Sequence, residues 1–400
     1  MSVPLDRLYH YLADCVNHDL IIYRWAPHGS RKLEDLGMLR GPYQDTQPMM
    51  ICHDQEPLDL ARYSKQDFKT AIRHYFQNHD FFRNLTKLTA DPVISYLADL
   101  GFRGLTIPTN QFDHTLLLHS EQNSTAVTAL AQQGYVPVYY WSHGMIAQDW
   151  FRYARHDPVL TFAPENIQKD FLIYNRAWSG TREYRLCFAE QLVNQQLVQH
   201  CNMSFSATDA GHYSQHQFVN PEFQISNFNL HDFFPINAHP ADASADYYGS
   251  DYATAGIEIV LETLFDDSRW HLTEKTLRPI ACGKPFLLMS TQGSLEYLRQ
   301  YGFETFEGLI DQRYDQIVEP RLRLQAVLDE MTRISQLEPT AKIKLFAELH
   351  EIARRNQHRF FNEFFDQVSK EYVNNITQAM SVMQQHCTGH HCDVIQTMIR

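Results

Sequence analysis

Short apolar runs bounded by turn residues alternate along the chain with segments whose apolar positions recur at helical spacing. The short apolar runs read as strands, and their alternation with helices reads as α/β. Strands are expected over 20–25, 49–53, 115–119 and 136–141, with helices around 63–78, 91–101 and 124–134. A second series begins near Lys169. Its expected strands are 171–174, 203–205, 257–261 and 285–289, and its helices 181–199, 274–282, 293–301 and 319–335. The stretch 154–170, with Pro158 and Pro164, reads as a linker. From Ile343 onward, Phe346, Leu349, Ile352, Ala353, Phe360, Phe364, Val368 and Tyr372 recur at about helical spacing. That pattern predicts one long amphipathic helix, or two broken near 356.

The expected fold class is α/β, as two doubly wound Rossmann-like domains facing across a cleft, with C-terminal helices packing back. The expected boundaries are 1–163, 164–340 and, for the helices and a polar tail, 341–400. In open α/β sheets ligands bind beyond the carboxyl ends of the strands. Chemistry is therefore sought just after each expected strand.

Composition narrows the class. Of 400 residues, 44% are hydrophobic and 20% charged, which excludes wholesale disorder. No run of 18 apolar residues exists, so no membrane span is expected. The opening MSVPLDRLYHYLADC lacks the basic start and apolar stretch of a signal peptide, and a cytoplasmic location is expected. Seven scattered cysteines do not make a disulfide framework. A net charge of −13 counts against tight electrostatic binding of nucleic acid.

Two stretches in the second series stand out. In the first, a strand ends near Glu262, Thr273 can cap a helix starting at Glu274, and Gly283 suits the left-handed residue after that helix. Glu262 and Glu274 can accept from ribose or sugar hydroxyls, and Lys275 can join the helix dipole in holding a diphosphate. The alternative is an ordinary capped helix with an acidic first turn. In the second, a strand runs into Asn175 and Arg176, and a helix begins near Arg182 with Arg185 one turn on. Guanidinium forks suit phosphate oxygens. The alternative is surface arginines pairing with Glu183 and Glu190.

In the first series, Cys52-His53-Asp54-Gln55-Glu56-Pro57 follows a strand. Asp54 and Glu56 share a face if extended, and their repulsion raises one pKa toward the range of a working base. The alternative is a polar turn ended by Pro57. His143 in Trp141-Ser142-His143-Gly144 is a second candidate base, or a structural histidine. The stretch His386-Cys387-Thr388-Gly389-His390-His391-Cys392 is rich in metal-ligand types, but its crowding favours an exposed tail, and no metal site is expected. Phosphate-loop, dinucleotide, serine-hydrolase and zinc-protease motifs are absent from the sequence.

The series Glu262…Thr273-Glu274-Lys275…Ala281-Cys282-Gly283-Lys284-Pro285 resembles the fucosyltransferase family of GT-B fold. The stretch from Lys169 through Asn175 to Arg182 is similar to that family's segment ahead of its donor-binding arginine. Residues 258–315 also resemble phage and bacterial glycosyltransferase-like proteins. Thr263-Leu264 stand where the family carries Asn-Ser. The resemblance implies a GT-B glycosyltransferase, inverting, with no obligatory metal and a GDP- or UDP-sugar as co-substrate. Glu274 would bind the ribose, Lys275 with Arg182 or Arg185 the diphosphate, and Glu56 would be the base. The implied acceptor is a glycan or a hydroxymethylated base of phage DNA. The rival reading is a non-catalytic nucleotide- or glycan-binding protein on the same fold.

Overall fold

The computed structural model describes residues 3–4, 7–16, 21–25, 37–39, 49–53, 57–58, 115–175, 182–205, 223 and 246–387. The chain divides into two compact units. The first is Val3–Ile146 with Val368–Arg400, and the second is built on Ala147–Gln367.

The first unit opens with α1 (Leu8–Asp14), β1 (Ile21–Trp25), β2 (Gly37–Leu39) and β3 (Met49–His53). β4 (Thr115–His119), α2 (Thr125–Gln132), β5 (Val136–Tyr139) and the start of α3 (Ser142–Trp150) follow. Its sheet runs β2-β1-β3-β4-β5. β1, β3, β4 and β5 are parallel, and β2 is an antiparallel edge strand that the sequence pattern does not announce. Three residues are too few for a period-two signal to stand out. Met50, Cys52, Leu116, Leu117 and Leu118 are buried, as an all-apolar strand run requires. Ser124 caps α2 by accepting from the Val127 N–H.

The second unit carries β6 (Lys169–Asn175), α4 (Tyr184–Asn194), β7 (Cys201–Phe205), α5 (Gly249–Thr254) and β8 (Ala255–Leu261). Then come α6 (Glu274–Ala281), β9 (Phe286–Met289), α7 (Ser294–Gln300), α8 (Pro320–Ser335) and α9 (Pro339–Arg359). Between β5 and β6 the expected linker is a run of short 3-10 turns. All four strands are parallel, in the order β7-β6-β8-β9. Helices cover both faces. Tyr174 and Asn175 are consecutive on β6 and so point to opposite faces. Arg185 of α4 reaches Asn175, while Arg278 of α6 lies over the Tyr174 ring. The unit is thus doubly wound, with order reversing between β6 and β8.

The C-terminal periodicity forms α9, a π-helical turn at Phe360–Phe364 and α10 (Phe365–Cys387). The interruption falls at the turn carrying Phe360 and Phe364, both fully buried, rather than near 356. α9 closes the second unit: Gln357 donates to the Ala281 carbonyl and Arg359 to that of Tyr301. α10 packs in the first unit, where Tyr372 donates to the Leu12 carbonyl and Asn375 to that of Tyr139. Gly256 on β8 makes room for Phe346 of α9, because a Cβ there would sit 2.6 Å from the ring. Gly256→Ala is expected to destabilise the second unit by about 1–3 kcal/mol through overpacking. A urea midpoint equal to wild type would contradict this contact.

Candidate functional site

The carboxyl ends of β6 and β8 meet at the point where the strand order reverses. This is where an open α/β sheet leaves a crevice for a ligand. β6 delivers Asn175 there, and β8 runs out through Leu261 into Glu262. α4 begins beside them. The Arg185 Nη1 donates to Asn175 Oδ1 at 2.9 Å, and its Nη2 to the carbonyls of Leu261 and Glu262 at 2.7 and 2.8 Å. Tyr184 donates to the same Glu262 carbonyl at 2.6 Å. Arg185 therefore braces the two strand ends. Burial, helped by the nearby Arg182 charge, lowers its pKa from the usual arginine value. Burial also raises Tyr184 to about 12.

α6 enters from the other side. Thr273 is its N-cap and accepts from the Lys275 N–H, as the capping pattern predicts. Glu262 is fully buried and closes this helix end. Its Oε1 accepts from the Thr273 and Thr276 amides and the Thr276 hydroxyl, and its Oε2 from the Thr273 hydroxyl and the Thr263 amide. A carboxylate so engaged is a fixed anion at a helix N-terminus. It is not a sugar-hydroxyl acceptor, and the amides it occupies are not offered to phosphate. Thr276 is a site residue that the sequence reading passes over; its position three residues after the cap is the signal for it.

The cations and the remaining carboxylate sit around that closed helix end. Lys275 Nζ donates to Glu274 Oε1 at 2.8 Å and to the Thr273 hydroxyl at 3.1 Å. Of this ion pair, Lys275 is the more exposed partner. Arg182 is buried at the head of α4 and acts electrostatically on both Arg185 and Tyr184. The Asn175 Nδ2 is buried and has no hydrogen-bond partner among the described residues. The hydrogen bonds thus link Asn175, Arg185, Glu262, Thr273, Lys275 and Glu274, with Arg182 alongside. A diphosphate would find Lys275, Arg182 and the Asn175 amide as donors. Glu274, buried at the start of α6, holds its carboxylate against Lys275. Arg176 lies outside the described residues.

In the first unit, Asp54 and Glu56 lie outside the described residues. His143 begins α3, buried, with its Nδ1 3.3 Å from the Ser142 hydroxyl. The Ser142 amide donates to the Ser120 hydroxyl, which ties α3 to the end of β4. The His/Cys tail has no described side chains. Among the described residues no group of three or more His, Cys, Asp or Glu is placed to hold a metal ion, and no helix is long and apolar enough to cross a membrane.

Near the amino-terminal end of β8, where Lys284 donates to the Ala255 carbonyl, His350 of α9 stacks on Phe162 at 4.4 Å between ring centroids. Burial, then the charges of Lys284 and Arg354, push it down to about 3. The unfolded chain therefore binds a proton at pH 5 that the folded chain refuses, and stability falls as pH drops below about 6.5. His350 is expected to take away about 2 kcal/mol between pH 7 and pH 5. His350→Phe should flatten that part of the urea-stability profile; an unchanged slope would contradict the assignment.

No family model matches the chain, and no curated protein or solved structure matches it.

Proposed function

We propose that the protein is a GT-B-type glycosyltransferase that moves a sugar from a nucleoside diphosphate donor to an acceptor hydroxyl. The second unit is the donor half and the first unit the acceptor half. The observation that supports this reading is the convergence of Asn175, Arg182, Glu274 and Lys275 on the β6/β8 reversal point. Negative charge develops on the leaving diphosphate during transfer, and fixed cations stabilise it where it forms. Lys275 and Arg182 serve that role without a metal, and Arg185 acts as their brace. Glu274 selects the ribose. Glu56 takes the acceptor proton, with Asp54 or His143 as the alternative groups. The donor is a GDP- or UDP-sugar, and the acceptor is a glycan or a hydroxymethylated DNA base.

The test is release of nucleoside diphosphate from a panel of GDP- and UDP-sugars, with and without saccharide acceptors. Glu56→Gln is expected to slow release at least about 100-fold, the usual contribution of a general base. Release that continues at the wild-type rate in this variant would remove Glu56 from the mechanism.

A further inference from the structure

The hydroxyl of Thr273 does more than cap α6. It lies 2.8 Å from Glu262 Oε2, 3.1 Å from Lys275 Nζ and 3.4 Å from the Lys275 amide nitrogen. A hydroxyl carries one proton, and a carboxylate oxygen only accepts. The proton therefore points to Glu262, and the lone pairs of Thr273 Oγ1 point to Lys275. Glu262 fixes that direction. Its side chain is fully buried, and its two oxygens are engaged by the first turn of α6 and by the Thr263 amide. Its own amide donates to the Met289 carbonyl at 3.0 Å, which anchors it on the sheet.

The ammonium at the other end is held in turn. Lys275 Nζ donates to Thr273 Oγ1 and, at 2.8 Å, to Glu274 Oε1. An ammonium has three N–H donors. With two of them fixed, tetrahedral geometry sets the direction of the third. The series Glu262, Thr273, Lys275 thus runs from the end of β8 to a cation whose side chain is 17% exposed.

Capping alone does not require this arrangement. Ser, Thr, Asp and Asn all cap a helix N-terminus. Only Ser and Thr accept from Lys275 and donate to Glu262 through one oxygen. An Asp would face Glu262 with like charge, and the Oδ1 of an Asn has no proton to give.

We propose that Thr273 is a positioning residue for the ligand-binding cation: its hydroxyl, turned by Glu262, fixes the Lys275 ammonium at the head of α6 and aims its remaining N–H at a phosphate oxygen. A lysine has a flexible four-carbon stem, and ordering it on binding opposes affinity. Holding the ammonium beforehand removes that cost. What the ammonium binds rests on the transfer reading above; that it is held rests on the hydrogen bonds alone.

Two measurements on the full chain test this, with three variants checked for folding by circular dichroism. Thr273→Ser keeps cap and relay, Thr273→Asn keeps a cap without the relay, and Thr273→Ala loses both. The first measurement uses no ligand. Trace acetylation with acetic anhydride, read by peptide mass spectrometry, gives the rate at Lys275 relative to Lys344, whose side chain is 79% exposed. Thr273→Asn and Thr273→Ala should raise that ratio at least about threefold, and Thr273→Ser should restore the wild-type ratio. An unchanged ratio in Thr273→Asn, or a rise in Thr273→Ala alone, would reduce Thr273 to a cap and overturn the proposal. The second measurement is calorimetric titration with GDP and UDP. Thr273→Asn should weaken the nucleotide about three- to tenfold, the worth of one hydrogen bond, and should change nothing in a Lys275→Ala background. A loss that persists without Lys275 would mean that Thr273 does not act through the ammonium. If neither nucleotide binds the wild-type chain, the donor reading falls, while the acetylation rates still decide whether Thr273 holds Lys275.

Discussion

Arg278→Ala is expected to cost about 3–5 kcal/mol, the range for removing one partner of a buried ion pair. Arg278 Nη2 lies 2.5 Å from Glu258 Oε1, and the two side chains are 3% and 0% exposed. Burial alone would lower the arginine pKa, but the Glu258 carboxylate outweighs it and holds the value above normal. Tyr252 donates to the other Glu258 oxygen, and its own pKa is raised by burial and then by that carboxylate. Without Arg278 the carboxylate is left in the interior with one neutral donor. With total stabilities of about 5–15 kcal/mol, that loss is about a fifth of the whole or more. The double variant Glu258→Leu with Arg278→Met should be less damaging than Arg278→Ala, because it removes both charges together. Urea titrations decide it: a loss under about 1 kcal/mol in Arg278→Ala would mean the pair is not buried as described.

Lys275→Ala should lower affinity for a nucleoside diphosphate about 10- to 100-fold while leaving the unliganded chain close to wild-type stability. One charge-assisted hydrogen bond contributes about 1.5–3 kcal/mol, which sets that range. The fold should tolerate the change because, among the described residues, the Lys275 ammonium bonds to Glu274 and Thr273, while the α6 cap is held by Glu262. Arg182→Lys should also weaken binding, because an ammonium keeps the charge and loses the planar fork. Arg185→Lys tests a different role. It should cost stability, since Arg185 ties Asn175 to the Leu261 and Glu262 carbonyls. Calorimetric titration with GDP and UDP separates the two. Equal affinity in wild type and Lys275→Ala would move the diphosphate away from α6.

All the described strands but β2 are legible in the sequence, most of them as short apolar runs ended by polar residues. Strands β3 and β4 fall on 49–53 and 115–119 as the pattern predicts. The α6 cap is legible for a local reason: Thr273 precedes the helix and Gly283 follows it, the latter at a φ of 62° that only glycine takes without strain. What closes the α6 N-terminus is not legible. Glu262 lies eleven residues before Thr273, and nothing local distinguishes a carboxylate turned into a helix from one turned toward a ligand. Strand order is equally hidden. That β6 sits beside β8 as well as β7 creates the reversal point, and it follows from long-range pairing. α5 and β2 escape notice because six and three residues give too few turns or alternations to show a period.

The most direct test of the donor site is thermal stability of the full chain across a panel of nucleoside diphosphates and their sugar conjugates, without added metal. A ligand at about 100 times its Kd adds about 2.7 kcal/mol to the folded state. The Tm should rise with GDP or UDP and their sugars, and that rise should be lost in Lys275→Ala. A well-folded chain whose Tm is moved by none of them would contradict it.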